Sequence, residues 1–248
     1  MLQRFTERVA GGDPAMFRKE AGQMESRMNG SESELKQVTV LLADDHAMFL
    51  EGLVKTLESH CQIVGSVHDG RALVDEAGRL RPDIIVLDIS MPSLNGIDAI
   101  LQLKKQGVLG KVIVLTMHQD ATFAAEAFRA GASAFLLKSS IVRELLEAIQ
   151  VVLRGQVYIT PLIAKEAVGL LLEQSARNHA AAGGGPTARQ REVLQLLAEG
   201  HSMKEIAHAL GISLSTAEFH KSSAMQKLGL RSTAELVKYA IAHGLTKL

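Results

Sequence analysis

The sequence predicts an α/β domain with a doubly wound parallel sheet, followed by a smaller all-α domain of four helices. Between residues 38 and 154, five short apolar runs alternate with five helical segments, which is the pattern of βαβ units. After residue 186 every periodic segment is helical, and Gly200, Gly211 and Gly229 stand where helices would end. A chain of 248 residues has room for two such domains, each with its own core.

Each predicted strand is a continuous apolar run, as expected for a strand that helices cover on both faces. The five runs are 38–43, 62–67, 83–87, 111–115 and 133–137. The helical segments between and after them lie near 46–59, 70–80, 97–106, 121–130 and 141–154. Because ligands of such sheets bind at the carboxyl ends of the strands, polar residues at those ends are candidates for chemistry.

The remaining segments divide the chain into an extension, a first domain, a connector and a second domain, at 1–36, 37–155, 156–185 and 186–248. The extension is predicted to be disordered, although Asp13-Pro14 followed by an apolar helical face would also allow a short amphipathic helix. The connector is expected to combine a helix from Pro161 to Asn178 with a glycine-rich break. The second domain is predicted to hold helices at 187–199, 202–210, 214–228 and 232–243.

Charge is divided unevenly between the two domains. Residues 37–155 carry 11 basic against 14 acidic side chains, whereas residues 186–248 carry 8 against 5. This division favours metal and phosphate chemistry in the first domain and nucleic acid binding in the second. A single cysteine, Cys61, excludes an intrachain disulfide and suits a reducing cytoplasm. No apolar stretch is long enough for a membrane span and no secretory signal is evident, so a cytoplasmic protein without a membrane partner is expected.

Three carboxylates follow two of the predicted strands. Asp44 and Asp45 come directly after the first run, and Asp88 follows the third. If these strands are neighbours, the acids meet at one edge of the sheet, where their mutual repulsion favours a hard cation such as Mg²⁺. A carboxylate beside Mg²⁺ is suited to attack on phosphorus, because the metal takes up phosphoryl charge. Thr116 and Lys138 follow two further runs and add a hydroxyl group and a cation.

Residues 37–155 resemble a response-regulator receiver domain, which has a flavodoxin-like (βα)5 fold. The strings that carry the resemblance are Ala43-Asp-Asp-His46, Val86-Leu-Asp-Ile-Ser-Met-Pro92, Leu115-Thr-Met-His118 and Gly131-Ala-Ser-Ala-Phe-Leu-Leu-Lys138. The resemblance implies that Asp88 is the phosphoacceptor and that Thr116 and Lys138 contact the phosphoryl group. It also implies an Mg²⁺ site with the ligands Asp44, Asp45, the Asp88 side chain and the main-chain carbonyl of Ser90.

The switch that the resemblance implies begins at Thr116. After phosphorylation its hydroxyl would move towards the new oxygens, and Phe135, the switch aromatic, would rotate inward to fill the vacated space. The surface of the fourth helix and fifth strand would then change. His46, His68 and His118 also follow strand ends, and they are expected to face solvent rather than to bind a metal.

A phosphatase of the haloacid-dehalogenase type is the rival interpretation, because it also combines an aspartyl nucleophile with Mg²⁺. Those enzymes carry Asp-x-Asp after the first strand, whereas here that strand ends in adjacent acids and the lone Asp88 follows the third. The sequence has no Ser-His-Asp order, no P-loop and no zinc-ligand spacing. We therefore expect that the protein is not an enzyme.

Residues 187–248 resemble a LuxR-type helix-turn-helix domain. The matching strings are Thr187-Ala-Arg-Gln-Arg-Glu-Val-Leu-Gln-Leu-Leu-Ala-Glu-Gly200, Lys204-Glu-Ile-Ala207, Leu210-Gly-Ile-Ser213 and Lys227-Leu-Gly229. Gly211 permits a tight turn and Ser213 can cap the helix at 214–228, which the resemblance implies is the recognition helix. The residues expected to contact DNA are Ser215, Glu218, Phe219, Lys221, Ser222 and Lys227.

Two residues depart from the helix-turn-helix pattern. The family usually has Val or Ile where this chain has Ala217 and Ala224. Each loss of side-chain volume beneath the recognition helix is expected to cost about 1–3 kcal/mol unless the site collapses around it.

The two resemblances together imply a two-component transcriptional regulator of the NarL/FixJ type. A sensor histidine kinase would phosphorylate Asp88 with Mg²⁺, and the active homodimer would bind double-stranded promoter DNA. The family dimerises through its last helix, where Ala234, Val237, Ala240 and Ile241 are available. One hypothesis for control is that the receiver covers the recognition helix until phosphorylation. The alternatives are a phosphorylation-independent DNA-binding regulator and an aspartyl-phosphate phosphatase.

Overall fold

The computed structural model of the chain describes residues 35–177 and 185–246. The predicted extension, including the Asp13-Pro14 helix start, lies outside the described residues apart from its last two positions. None of the helices in the described part of the chain is long and apolar enough to cross a membrane.

A six-stranded parallel sheet forms the centre of the first domain, with the order β2-β1-β3-β4-β5-β6. The strands are Thr39–Ala43 (β1), Gln62–Val67 (β2), Ile84–Asp88 (β3), Lys111–Thr116 (β4), Ala134–Leu137 (β5) and Tyr158–Ile159 (β6). The first five agree with the predicted runs to within one residue at each end, so the predicted parallel α/β class is confirmed. Every residue of β3 is buried because helices cover both faces of the sheet.

Helices on the two faces of the sheet enclose two separate apolar layers. Their bounds are Ala47–Leu57 (α1), Gly70–Leu80 (α2), Gly96–Lys105 (α3), Ala121–Ala130 (α4) and Ile141–Leu153 (α5). Successive strand residues point to opposite faces. Leu41 and Ile85 therefore pack in the layer under α2, α3 and α4, while their neighbours Leu42 and Val86 pack in the layer under α1 and α5.

The sixth strand lies in what the sequence predicted to be a connector. Tyr158 pairs with Ala134 of β5, and the Thr160 N–H donates to the Phe135 carbonyl at 3.0 Å. Helix α6, Pro161–Arg177, then packs against α4 and buries Ile163 and Ala167. The first part of the connector thus extends the fold of the first domain. A strand of two residues leaves no periodicity in a sequence, which is why five strands were expected and six are found.

Four helices form the second domain, in the order that the sequence predicted. They are Ala188–Ala198 (α7), Met203–Leu210 (α8), Leu214–Leu228 (α9) and Thr233–Ala242 (α10). Capping boxes start α7 and α8, because Thr187 with Gln190 and Ser202 with Glu205 each exchange side-chain and backbone hydrogen bonds. Between α8 and α9 the chain turns at Gly211, whose φ of 63° is a left-handed conformation that suits glycine.

Ala217 and Ala224 lie on the inner side of α9, as the helical spacing predicted. Both are fully buried, Ala217 in the cluster of Val193 and Ile206 and Ala224 in a second cluster with Leu194. Helix α9 packs against α7 along this side. Their small side chains therefore lie at the contact between the two helices.

The loop after β3 leaves no room for a side chain at its end. A Cβ atom on Gly96 would lie 2.3 Å from the Asp88 carbonyl oxygen and 2.9 Å from the Ile89 Cα. These are backbone atoms, which cannot move aside as the end of a flexible side chain could. Gly52 on α1 is the opposite case, since nothing lies within 4 Å of its Cβ position.

We expect Gly96→Ala to destabilise the protein by about 1–3 kcal/mol or more, because the new methyl group overlaps the backbone of β3. Gly52→Ala is the matched control, and it should stabilise the protein by about 1 kcal/mol, since alanine favours an exposed helix position. Urea unfolding of both variants measures the difference. Equal stability of the two variants would contradict the close approach at Gly96.

Candidate functional site

Four acidic or imidazole side chains converge at the carboxyl edge of the sheet. Asp88 ends β3, and Asp44 and Asp45 follow β1, the neighbouring strand. One ligand atom from each of these acids and one from His46 lie within 4.8 Å of one another. Asp44 and Asp88 are 1% and 2% exposed, so their charges lie largely out of water. The predicted meeting of the three carboxylates is therefore found.

Lys138 places a positive charge beside this acidic group. It follows β5 in a short 3-10 turn, and its Nζ lies 2.5 Å from Asp44 Oδ2 and 3.0 Å from Asp88 Oδ2. The ammonium group also lies 4.6 Å from the centroid of the Phe49 ring, within the range of a cation–π contact. A buried cation between two buried carboxylates offsets the repulsion between their charges.

Thr116 ends β4 with its side chain fully buried beside the acidic group. Its Oγ1 accepts a hydrogen bond from the backbone N–H of His118 at 3.0 Å. The His118 ring lies 3.0 Å, Nε2 to Oγ, from Ser90 and packs on Phe123 of α4 with 4.8 Å between ring centroids. His118 is thus half-buried and hydrogen-bonded, whereas the sequence indicated that it would face solvent. His46 and His68 are exposed, as expected.

Phe135 lies in β5 with no exposed surface, packed in the apolar layer under α2, α3 and α4. The resemblance implied that this ring rotates inward after phosphorylation, but the ring is already buried in the structure. Its role as the switch aromatic stays a prediction.

The donor set of the acidic group fits a hard divalent cation. Asp44, Asp45 and Asp88 offer carboxylate oxygens, the ligands that Mg²⁺ prefers. The buried Asp44 Oδ2 has the Lys138 ammonium group as its partner at 2.5 Å, and a carboxylate oxygen keeps a second lone pair that can bind a metal. The carbonyl of Ser90, two residues after Asp88, is the fourth predicted ligand. The residues present can therefore hold Mg²⁺.

The outward side of α9 is open to solvent. Ser215, Glu218, Ser222 and Lys227 are exposed, Lys221 is half-buried, and Phe219 keeps 67% of its surface exposed. Ser213 caps the helix by accepting from the Thr216 N–H at 3.1 Å. An exposed phenylalanine between polar and basic side chains is an arrangement that suits contact with base edges and phosphates.

The first helix of the second domain docks on the loop after β3. The Gln195 side chain accepts from the Asn95 N–H at 2.8 Å and donates to the Met91 carbonyl at 2.9 Å. The Arg191 guanidinium is paired with both carboxylate oxygens of Asp98, which is 1% exposed. Sequence reasoning missed these residues. The available signal was a polar stripe at four-residue spacing along α7, formed by Arg191, Gln195 and Glu199.

A second contact between the domains involves the end of α10. A Cβ on Gly244 would lie 2.6 Å from the Phe123 ring of α4, so the chain after α10 rests directly on that ring. A cavity of about 370 Å³ lies between the domains, lined by Arg191, Tyr239 and Glu126 among others. Burial raises the pKa of Glu126 above its ordinary value, although the nearby positive charges of Arg191 and Arg129 act to lower it.

These contacts do not cover α9, the predicted recognition helix. Among the described residues, side chains of α7 and the segment after α10 meet the first domain, and the outward side of α9 stays exposed. The hypothesis that the receiver covers this helix is therefore wrong for this conformation. The physical reason is the polar stripe of α7, which forms its hydrogen bonds on a different side of the domain.

Two segments of the chain match known protein families. Residues 40–150 match the family described as "Response regulator receiver domain". Residues 187–240 match the family described as "Bacterial regulatory proteins, luxR family". These are the two segments that carry the acidic group and the exposed helix.

Relatives of the whole chain are similar to it over most of their length. The "Transcriptional regulatory protein MctR" of Rhizobium johnstonii is 32% identical over 216 residues, 86% of this chain and 97% of the relative. A solved structure of RcsB from Salmonella enterica serovar Typhimurium, bound to promoter P1flhDC in the presence of the phosphomimetic BeF3⁻, is 29% identical to this chain. The match has a TM-score of 0.51 and covers 82% of this chain and 97% of the RcsB chain. A structure titled as two RcsB dimers bound to two parallel DNAs is 28% identical, with a TM-score of 0.50 and coverage of 82% and 97%.

We expect Mg²⁺ to raise the melting temperature of the protein, because a ligand that binds only the folded state stabilises it. Asp44→Asn should abolish most of this effect, since it removes a buried ligand charge. Glu51→Gln, on the exposed side of α1, is the control and should respond like the unaltered chain. Thermal unfolding at increasing MgCl₂ tests this, and an unchanged response of Asp44→Asn would argue against metal binding at this site.

Proposed function

The chain belongs to the family of bacterial response regulators that join a receiver domain to a LuxR-type DNA-binding domain, and we propose that phosphorylation of Asp88 controls its binding to promoter DNA. The observation that carries the proposal is the meeting of Asp44, Asp88 and Lys138 at one edge of the sheet. No other buried group of the described residues combines a carboxylate nucleophile with both a cation and further metal ligands.

The phosphoryl donor that we propose is the phosphohistidine of a sensor histidine kinase. A carboxylate oxygen of Asp88 attacks phosphorus, the P–N bond breaks, and the released imidazole nitrogen takes up a proton. Lys138 lies 3.0 Å from Asp88 and neutralises charge on the phosphoryl oxygens during transfer. Bound Mg²⁺, held by Asp44, Asp45, Asp88 and the Ser90 carbonyl, would neutralise phosphoryl charge as a Lewis acid.

The phosphoryl group carries roughly −1.5 to −2 charges beside the Thr116 hydroxyl, where the Asp88 carboxylate carried a single negative charge before. We propose that Thr116 then turns from its bond with the His118 N–H to the phosphoryl oxygens. Its departure frees His118, whose ring packs on Phe123 of α4. Phe135 remains the proposed switch aromatic, which repacks from its buried position rather than entering from outside. The surface of α4 and β5 changes as a result.

The second domain would bind double-stranded DNA through α9 in the major groove. Glu218 can accept from cytosine N4 and Phe219 can touch a thymine methyl group, with Ser215 and Ser222 beside them. Lys221 and Lys227 are suited to phosphate contacts. The RcsB structures, with dimers on DNA and promoter bound beside a phosphomimetic, support a dimeric phosphorylated form for this chain.

The proposed domains are a receiver at 37–155 and a DNA-binding domain at 186–248, joined by the connector 156–185 after the extension 1–36. The structure attaches the first part of this connector to the receiver through β6 and α6. Because the DNA and the kinase's phosphohistidine would be met inside the cell, we propose a cytoplasmic location.

A second function is favoured by one observation, the exposure of the outward side of α9. A helix that is already open could bind its operator without phosphorylation. Asp88→Asn separates the two functions. Unchanged operator occupancy in cells that carry this variant would favour the phosphorylation-independent regulator.

We expect acetyl phosphate with Mg²⁺ to add one phosphoryl group to the chain, detected by intact-mass spectrometry. Asp88→Asn should abolish the adduct, because an amide is not a nucleophile for phosphorus. Asp75→Asn, an exposed acid on α2, is the control and should react normally. An adduct of undiminished yield on Asp88→Asn would rule out Asp88 as the acceptor.

We expect Lys221→Ala to weaken DNA binding to all sequences alike and to lower the salt slope by about 1, as the loss of one phosphate contact predicts. Phe219→Ala should instead change the preference at one base position, with a discrimination loss of at most about 1–3 kcal/mol, the usual cost of one mismatched base pair. Lys165→Ala, on α6, is the control. Binding titrations at several salt concentrations provide the measurement, and unchanged affinity and preference in both α9 variants would exclude α9 as the DNA-reading helix.

A further inference from the structure

We propose that Gln195, a residue of the DNA-binding domain, is a positioning residue for the metal half of the phosphoacceptor site. The inference rests on the proposed function, because it concerns the Mg²⁺ that phosphorylation of Asp88 requires. It means that docking of the second domain prepares the receiver to bind its metal.

The Gln195 amide pairs with the backbone of the receiver in the way that a neighbouring strand would. Its side chain is fully buried. Its Oε1 accepts from the Asn95 N–H at 2.8 Å, and its Nε2 donates to the Met91 carbonyl at 2.9 Å. Both ends of one planar amide are therefore used on the same loop. The Nε2 also donates to Glu199 Oε1 at 2.8 Å, which fixes the orientation of the amide.

The loop that Gln195 holds begins at the phosphoacceptor. Asp88 is followed by Ile89 and Ser90, and the carbonyl proposed to bind Mg²⁺ is that of Ser90, one peptide before the Met91 carbonyl. Two hydrogen bonds within the loop, from the N–H groups of Met91 and Gly96, end on the Ile89 carbonyl. The Met91 carbonyl and the Asn95 N–H are bonded by the second domain instead.

A further peptide of the loop also depends on the docked domain. Ser93 has a φ of 66°, an uncommon conformation for a residue with a side chain, and its N–H donates to Glu199 Oε2 at 3.4 Å. The Asp98–Arg191 pair anchors α7 against the start of α3, the helix that follows the loop. Without the second domain, the loop would lose three hydrogen bonds, two to Gln195 and one to Glu199, and its backbone groups would bond to water instead. The loop would then no longer be held in a single conformation.

The position of a metal-binding carbonyl affects affinity, because Mg²⁺ demands near-ideal octahedral geometry. A carbonyl that is already held in place costs less ordering free energy when the metal binds. Docking of the second domain should therefore tighten Mg²⁺ binding. By thermodynamic reciprocity Mg²⁺ should tighten docking by the same factor.

Two variants of the full chain separate the two hydrogen bonds. Gln195→Leu removes both bonds while keeping similar volume. Gln195→Glu can still accept from the Asn95 N–H, but it cannot donate to the Met91 carbonyl. Gln226→Leu, an exposed position on α9 in the same domain, is the matched control. The Asp98–Arg191 pair is left intact, since removal of one partner would strand a buried charge.

The experiment measures the Mg²⁺ concentration that half-saturates the chain in isothermal titration calorimetry, and the concentration that gives half of the maximal phosphorylation rate with acetyl phosphate. For Gln195→Leu we expect both midpoints to rise about five- to tenfold, while the rate at saturating Mg²⁺ stays within about twofold. The two midpoints should rise for Gln195→Glu as well, and they should not change for Gln226→Leu. A purely structural role would lower the melting temperature without shifting either midpoint.

Hydrogen exchange gives a readout that is independent of phosphorylation. In the unaltered chain, Mg²⁺ should slow exchange in residues 91–98 and also in α7, and Gln195→Leu should abolish the effect on α7. If both Gln195 variants keep the Mg²⁺ midpoints of the unaltered chain, or lower them, the positioning role is wrong although phosphorylation stands. If the unaltered chain binds no Mg²⁺ and forms no adduct at Asp88, the proposed function itself fails.

Discussion

The ion pairs of Lys138 with Asp44 and Asp88 are the interaction on which the rest of this protein depends. They bring together the ends of three strands, β1, β3 and β5, inside a site from which water is largely excluded. Two buried carboxylates this close would repel each other without a cation, and the sheet edge would lose stability. The same charge balance makes the site responsive, since phosphorylation replaces a single carboxylate charge with roughly −1.5 to −2 charges on a larger group.

The loop after Asp88 connects this charge balance to the second domain. The backbone of this loop forms hydrogen bonds within its own turn and with the side chain of Gln195, so residues of both domains hold the loop in place. His118 and Phe123 form a second line of contacts, from Thr116 to Gly244. Control by phosphorylation therefore need not act by uncovering α9, whose outward side is already open. The contacts that can change lie at α7 and at the end of α10.

Much of the fold and of the site could be predicted, because the signals are local. Strand ends were predicted to within one residue since apolar runs and the polar residues that end them are adjacent in the chain. Asp44, Asp88 and Lys138 were found from their places after strands, because parallel strands bring their carboxyl ends to one edge. Within the first domain, two features escaped prediction. The two-residue strand β6 is too short for a pattern, and the half-buried position of His118 depends on its contacts with Ser90 and Phe123.

The sequence by itself determined which residues form the strands, the helices and the acidic group, because periodicity and position along a strand are properties of the chain alone. Only the tertiary structure decided which surface of the second domain meets the first. In the sequence, Arg191 and Gln195 look like ordinary polar residues of a helix, and only the fold brings them into contact with Asp98 and the Met91 carbonyl. The free energy of such contacts depends on burial and on partners about a hundred residues away, which no local pattern records.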